Sequence, residues 1–299
     1  MAKEYPGTVL EFERWFQTEQ SCRNYLARIR WPEGFVCPRC KTRESWRTKD
    51  GVFQCRGCHT NVSPTAGTVF HRSKISLRLW YRAIWWMTNQ KMGINAMGLQ
   101  RLLGLPSYQT AWTMLHKLRR AMVRPGREQL CGKVEVDETL VGGLRPGNPS
   151  RQAKEIVIIA AEIRRNGIGR IRVARLPDEN GPTIVNFVKK NVAVGSQISS
   201  DGAWAYSWLP DHGYTHRRLP GAGHKELPAV HRIAALLKRW LLGTFQGRAS
   251  PHQLEHYHDE YAFRFNRRHS AKRGKLFHRL VQQCAGCAPT PYQAMISSS

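Results

Sequence analysis

Acidic residues are scarce in this chain. Asp and Glu number 21 against 47 Lys and Arg, leaving a formal net charge of +26. That balance favours polyanions, although charge alone does not separate DNA from RNA or anionic lipid. The basic residues are spread along the chain rather than gathered in one tail, which suits contact with nucleic acid through several domains. Long apolar runs are also missing: no stretch reaches the roughly 18 residues of a membrane span, so no membrane partner is expected. The opening residues, MAKEYPGTVLEFERWF, contain neither an apolar core nor a cleavage site, and the expected location is the cytoplasm. There is no internal repeat and no long low-complexity segment. With 41% hydrophobic residues, buried cores are possible and global disorder is not expected.

Cysteine is present in a pattern that points to metal rather than disulfides. Cys37-Pro-Arg-Cys40 and Cys55-Arg-Gly-Cys58 are two C-x2-C knuckles with fourteen residues between them. Each knuckle turns both thiolates towards one point, and two knuckles complete a tetrahedral Zn²⁺ site. Four protein thiolates close the site, so the zinc would be structural. His59 is an alternative ligand. Cys284-Ala-Gly-Cys287 has no second knuckle nearby and reads as reduced, non-ligand thiols.

Around the knuckles the chain reads as helix. Residues 1–30 form a helical lead-in in which Ser21 can cap a turn running into Tyr25, Leu26 and Ile29, and the ribbon occupies 31–65. Residues 75–125 form a helical region in which Leu77, Trp80, Tyr81, Ile84 and Trp85 share a 3.6-residue stripe. Residues 95–122 read as helix, Gly-Leu-Pro turn and helix, with Ser107 as the second N-cap. These are helix-turn-helix proportions. Gln109 and Thr110 open the second helix, where bases are read; His116, Lys117, Arg119 and Arg120 close it, where phosphates are gripped. The alternative is an αα-hairpin with a solvated charged face.

From residue 132 the period changes. Residues 133–139, 155–164, 169–176 and 196–201 read as strands, and 182–192, 231–243 and 250–268 as helices. Gly243 is the expected stop of the second helix, and Ser250 and Pro251 the start of the third. This is an α/β layer domain, placed at 130–280, followed by a tail at 281–299. The Pro/Gly-rich stretch 144–153 reads as a loop within it. Asp137 and Asp201 fall at strand ends, where neighbouring carboxylates can hold Mg²⁺ or Mn²⁺ for phosphodiester chemistry. Either residue alone would more often be a turn or cap residue. Asp137 shares a strand face with Glu135, and Glu138 points the other way. On the helix 231–243, His231 and Lys238 share the face opposite the apolar stripe. Arg267, Arg268, Lys272, Arg273 and Lys275 form a basic run suited to phosphates, or a solvated tail.

Taken together, VEVDETLVGG, SSDGAW, VHRIAALLKRWLLGTFQG and HDEYAFRFNRR resemble the DDE-type insertion-sequence transposases. In that family the third carboxylate varies among Glu, Asn and His and is followed by a Lys. The resemblance runs from about residue 15 to 280 and includes the N-terminal zinc ribbon and helical DNA-binding segment. It implies a multidomain chain: a zinc ribbon, a helix-turn-helix-like DNA-binding region, and an RNase-H-like catalytic domain. It makes Asp137 and Asp201 the metal-binding aspartates, His231 the third member and Lys238 the lysine. The partners implied are double-stranded DNA, as terminal inverted repeats and as target, and further copies of the chain in the DNA complex. Two competing readings are a zinc-ribbon DNA-binding regulator without catalysis and an RNase-H-like nuclease that cuts without joining.

Overall fold

The computed structural model describes residues 3–142, 154–221, 225–246 and 251–296. The expected loop at 144–153 and the Ser250 start signal lie outside them. In chain order the first elements are α1 (Val9–Trp15), α2 (Glu19–Arg30), β1 (Ser45–Arg47), β2 (Phe53–Cys55) and β3 (Asn61–Val62). Three helices follow: α3 (Leu77–Asn89), α4 (Ala96–Leu103) and α5 (Tyr108–Ala121). Next come β4 (Lys133–Val141), β5 (Glu155–Arg164), β6 (Gly167–Leu176), α6 (Gly181–Asn191), β7 (Gln197–Asp201) and β8 (Thr215–Leu219). The chain continues through α7 (Pro228–Phe245), α8 (Pro251–Phe265), α9 (Arg273–Gly286) and α10 (Tyr292–Ile296). They form two compact units. One is Met1–Arg124 with Ser270–Ser299, the other Pro125–His269.

The first unit joins the ribbon and the N-terminal helices to the C-terminal helix α9. Thr18 caps α2 in a reciprocal capping box with Ser21, so Ser21 is the third helical residue and not the cap itself. Glu19 then accepts the N–H groups of Leu77 and Arg78, closing the start of α3. The expected stripe of α3 is buried. Phe277 of α9 is fully buried and meets Phe12 and Tyr81 edge-on at centroid distances of 5.3 and 5.6 Å. A Cβ on Gly274 would fall 1.6 Å from the Pro6 carbonyl oxygen, so only glycine allows that approach. The expected boundary at 280 therefore moves back to about 269, and α9 is core rather than the end of the α/β domain. Its own period carries the reason: Leu276, Phe277, Leu280, Val281 and Cys284 are buried together.

Helices α4 and α5 are joined by a tight turn. Gly104 ends α4 in the left-handed region, and Ser107 caps α5 by accepting the Thr110 N–H. Arg119, expected to grip phosphate, is instead 1% exposed and packed in the unit's interior, as is His116. Neither can reach DNA from there. Gln109 is exposed, whereas Thr110, Lys117 and Arg120 are half-buried.

The second unit is a five-stranded mixed sheet of order β6-β5-β4-β7-β8. Strands β4, β5 and β6 are an antiparallel meander, and β7 and β8 run parallel to β4. This is the strand order of an RNase-H-like fold. Residues Val157–Ala161 of β5 are all buried, because helices cover both faces of the sheet. On one face Val134, Val136 and Ile198 pack with α6 and Tyr206. On the other, Val157, Ile159 and Val173 pack with α7 and α8. Helix α7 begins with Pro228, earlier than expected, and passes through Gly243 to a left-handed Gln246. A mid-helix glycine costs only about 1 kcal/mol, and buried Trp240, Leu241 and Thr244 hold that last stretch on the sheet. Arg267 and Arg268, expected on DNA, are built into this fold. Arg267 donates to the Phe263 carbonyl and lies over its ring; Arg268 donates to the carbonyls of Gly169 and Ile168.

Candidate active site

The sheet order alone brings the two aspartates together. The parallel register of β4 and β7 reaches Glu135 opposite Ser199. Two residues further along each strand stand Asp137 and Asp201, on the same relative side because the strand period is two. Asp201 is the last residue of β7 and accepts the Ala203 N–H at 3.0 Å, which fixes the turn beyond it. Asp137 lies midway along β4 and not at a strand end as expected, because β4 continues to Val141 against β5; it is half-buried, and His231 Nδ1 lies 3.7 Å from its Oδ2. The structure thus gathers Asp137, Asp201 and His231. Lys238 lies two turns along α7 with its side chain exposed.

Burial pushes the Asp137 carboxyl up to about 6; His231 opposes that rise and the negative charge of Asp201 adds to it. Glu138 behaves similarly, pushed up to about 7 by burial, against a hydrogen bond from the Tyr206 hydroxyl and with repulsion from Asp137 and Asp201. The Tyr206 O–H donates to Glu138 Oε1 at 2.7 Å. A cavity of about 560 Å³ opens beside these groups, with Asp137, Glu138, Asp201, Glu179, Asn180 and Trp204 in its wall. An acidic, partly dehydrated cavity is poorly balanced without a cation. Two carboxylates with open positions for water and substrate oxygens match what Mg²⁺ or Mn²⁺ requires. Tyr206 is the member that sequence reasoning missed; its only signal is its place five residues after Asp201, in DGAWAY.

Glu135 has a different task. It is 8% exposed, and its Oε2 accepts the N–H groups of Ala229 and Val230 at 2.8 and 3.1 Å. A carboxylate thereby closes the start of α7, one residue before His231, where the helix dipole also favours negative charge. Glu135→Ala would strand two buried donors and is expected to cost the second unit roughly 2–4 kcal/mol. Glu135→Gln, which retains an acceptor, should cost less. Denaturant melts check the order; equal stability for Glu135→Ala and wild type would refute the anchoring role.

The cysteine site lies in the other unit. The sulfur atoms of Cys37, Cys40, Cys55 and Cys58 all lie within 4.8 Å of one another, with Cys37–Cys58 at 3.6 Å and Cys40–Cys55 at 3.4 Å. Tetrahedral zinc with Zn–S near 2.3 Å needs sulfurs about 3.8 Å apart, so the cluster fits zinc closely. The two knuckles are built alike: a left-handed Lys41 or His59 follows the second cysteine. The Cys37 N–H then bonds Thr42 O, and the Cys55 N–H bonds Thr60 O. His59 is an exposed turn residue outside the cluster. The Thr42 hydroxyl beside Cys40 helps pull that thiol down to about 6, whereas burial pushes the Cys55 thiol up to about 11. Cys284 is fully buried in the α9 core, where desolvation pushes its thiol well up.

Comparison with known proteins finds matches to two segments of the chain. Residues 129–266 match the family described as ISXO2-like transposase domain, and residues 17–61 the transposase zinc-ribbon domain. An uncharacterized protein in transposable element ISH50 of Halobacterium salinarum is 33% identical over 130 residues, covering 42% of this chain. The chain spans 43% of that relative's length. Among solved structures, the catalytic core domain of BIV integrase aligns at 15% identity and a TM-score of 0.32, over 44% of this chain and 80% of that one. A chain of a simian T-cell lymphotropic virus intasome aligns at 13% identity and 0.33, over 54% and 63%. No described helix is long and apolar enough to cross a membrane.

Proposed function

We propose that this chain, with segments matching a transposase zinc ribbon and an ISXO2-like transposase domain, is an insertion-sequence transposase that cuts the ends of its element and joins them to target DNA. The observation that carries this reading is the pairing of Asp137, midway along β4, with Asp201, at the end of the neighbouring β7, in the wall of one acidic cavity. Asp137 and Asp201 would hold one or two Mg²⁺ or Mn²⁺ ions, which when bound supply Lewis acidity for attack on a phosphodiester and for departure of the leaving oxygen. Asp201 is oriented by the Ala203 amide. His231 steadies Asp137 from the α7 side, and Glu135 holds the start of that helix. Lys238, exposed on α7, meets a backbone phosphate as a point charge. The first strand cut frees a 3′-OH, and that hydroxyl is the nucleophile for joining. Zinc held by the four cysteines would stabilise the ribbon, which with exposed Gln109 and neighbouring basic residues holds the terminal inverted repeats. The chain acts in the bacterial cytoplasm on nucleoid DNA, as a homo-oligomer when two ends are paired.

The test is an end-labelled duplex taken from the DNA flanking the coding region, incubated with purified protein and Mn²⁺. Metal-dependent cleavage at one mapped position supports the reading. Tight binding without cleavage would favour a regulator.

A further inference from the structure

Trp204 has no task in the chemistry above, yet it stands in the wall of the acidic cavity with Asp137 and Asp201. Its side chain is 68% exposed, although it belongs to a short 3-10 turn, Trp204–Tyr206, whose other two members are buried. Buried Tyr206 pins that turn through its bond to Glu138. Trp208 meets the Trp204 ring at 90° with centroids 5.8 Å apart. Trp208 is itself held close to the start of α6, where a Cβ on Gly181 would come within 3.1 Å of its Nε1. The indole is therefore presented to water by a fixed support.

An indole face cannot bind the phosphate that the carboxylates would handle, because the ring face is electron-rich. It can take the flat face of a nucleobase. Bases within a duplex show only their edges in the grooves. A face becomes available when a base is unpaired at a strand end or turned out of the stack. We propose that Trp204 is a stacking platform for one unstacked nucleobase next to the phosphodiester being cut. This rests on the cleavage reading above and adds the state of the DNA that the site accepts.

The experiment compares wild-type protein with Trp204→Ala and Trp204→Phe on two kinds of duplex. One is the end duplex in which the wild-type cut has been mapped. The other is the same duplex with an abasic residue at the nucleotide beside the cut, placed on either side in separate molecules. Cleavage rates are measured in Mn²⁺, and affinities with metal omitted. Trp204→Ala should lower both rate and affinity on the intact duplex by about 5- to 150-fold, the span that one base–aromatic stack represents. Trp204→Phe, which keeps a ring face, should retain most of both. One of the abasic duplexes should bring Trp204→Ala back close to wild type, because no base then needs a partner. Unchanged behaviour of Trp204→Ala, or an equal loss on intact and abasic duplexes, overturns the proposal while leaving the cleavage reading standing. Wild-type protein that cuts none of the duplexes overturns both.

Discussion

Asp137→Ala or Asp201→Ala is expected to reduce strand cleavage and joining by more than about 100-fold, since even an outer partner of a metal ligand is worth roughly 10- to 100-fold. Affinity for end DNA should stay within a few-fold of wild type. The reason is a division of labour: Asp137 in the middle of β4 and Asp201 at the end of β7 belong to the mixed sheet, and the ribbon lies in the other compact unit. Removing either carboxylate deletes a charged ligand from a pair whose partner is fixed by the sheet. Asp137→Asn is the sharper variant, because it retains the shape and a neutral oxygen but loses the charge. Single-turnover cleavage and a filter-binding curve on one preparation check both halves. Loss of binding in parallel with cleavage would mean that the aspartates support the fold and not the chemistry.

The second large effect concerns zinc. Among the described residues the ribbon's own buried cluster consists of Phe35, Cys37, Cys55 and Val62, with Trp31, Phe53 and Cys58 packed against it. So small a core cannot offset the ordering of its chain. Structural zinc in such modules contributes about 10–16 kcal/mol of apparent binding free energy. Cys55→Ser, or prolonged chelation, should therefore abolish backbone hydrogen-exchange protection across β1, β2 and β3. Protection in β4 and β5, within the other unit's core, should persist. Metal analysis should find one zinc per chain in untreated protein. Ribbon protection that survives with less than about half an equivalent of zinc would show that the thiols fold without metal.

What the sequence reveals here follows from what is local. The strands of the second unit were legible because Val134, Val136 and Ile159 alternate with polar or differently facing neighbours, and β5 is a run of β-branched residues. The knuckles were legible because a zinc site built from C-x2-C turns is itself local. Burial of individual charges was not legible: Arg119 carries the same letter whether it faces phosphate or, as here, the interior. Helix α9 was hidden by the basic run at its start, although its apolar spacing was available. The meeting of Asp137 with His231 joins residues 94 positions apart, and that of Glu138 with Tyr206 joins residues 68 apart. No periodicity encodes such pairs; they follow from the strand order and from where α7 begins. The first was expected only through family resemblance, and the second was not expected at all. Glu138 shows the limit most clearly. Strand alternation correctly turns it from Asp137, yet where β7 ends beside β4 both residues reach one cavity.

The central claim, that this fold joins DNA ends, is tested most directly by strand transfer from a pre-cut end. A labelled duplex ending at the mapped cut, carrying either a 3′-OH or a 3′-deoxy terminus, is mixed with supercoiled plasmid, protein and Mn²⁺. Label covalently attached to plasmid is then measured. Joined product is expected from the 3′-OH end, none from the 3′-deoxy end, and none with Asp137→Ala. Cleavage-competent protein that leaves the 3′-OH end unjoined would contradict the claim and make the chain a nuclease.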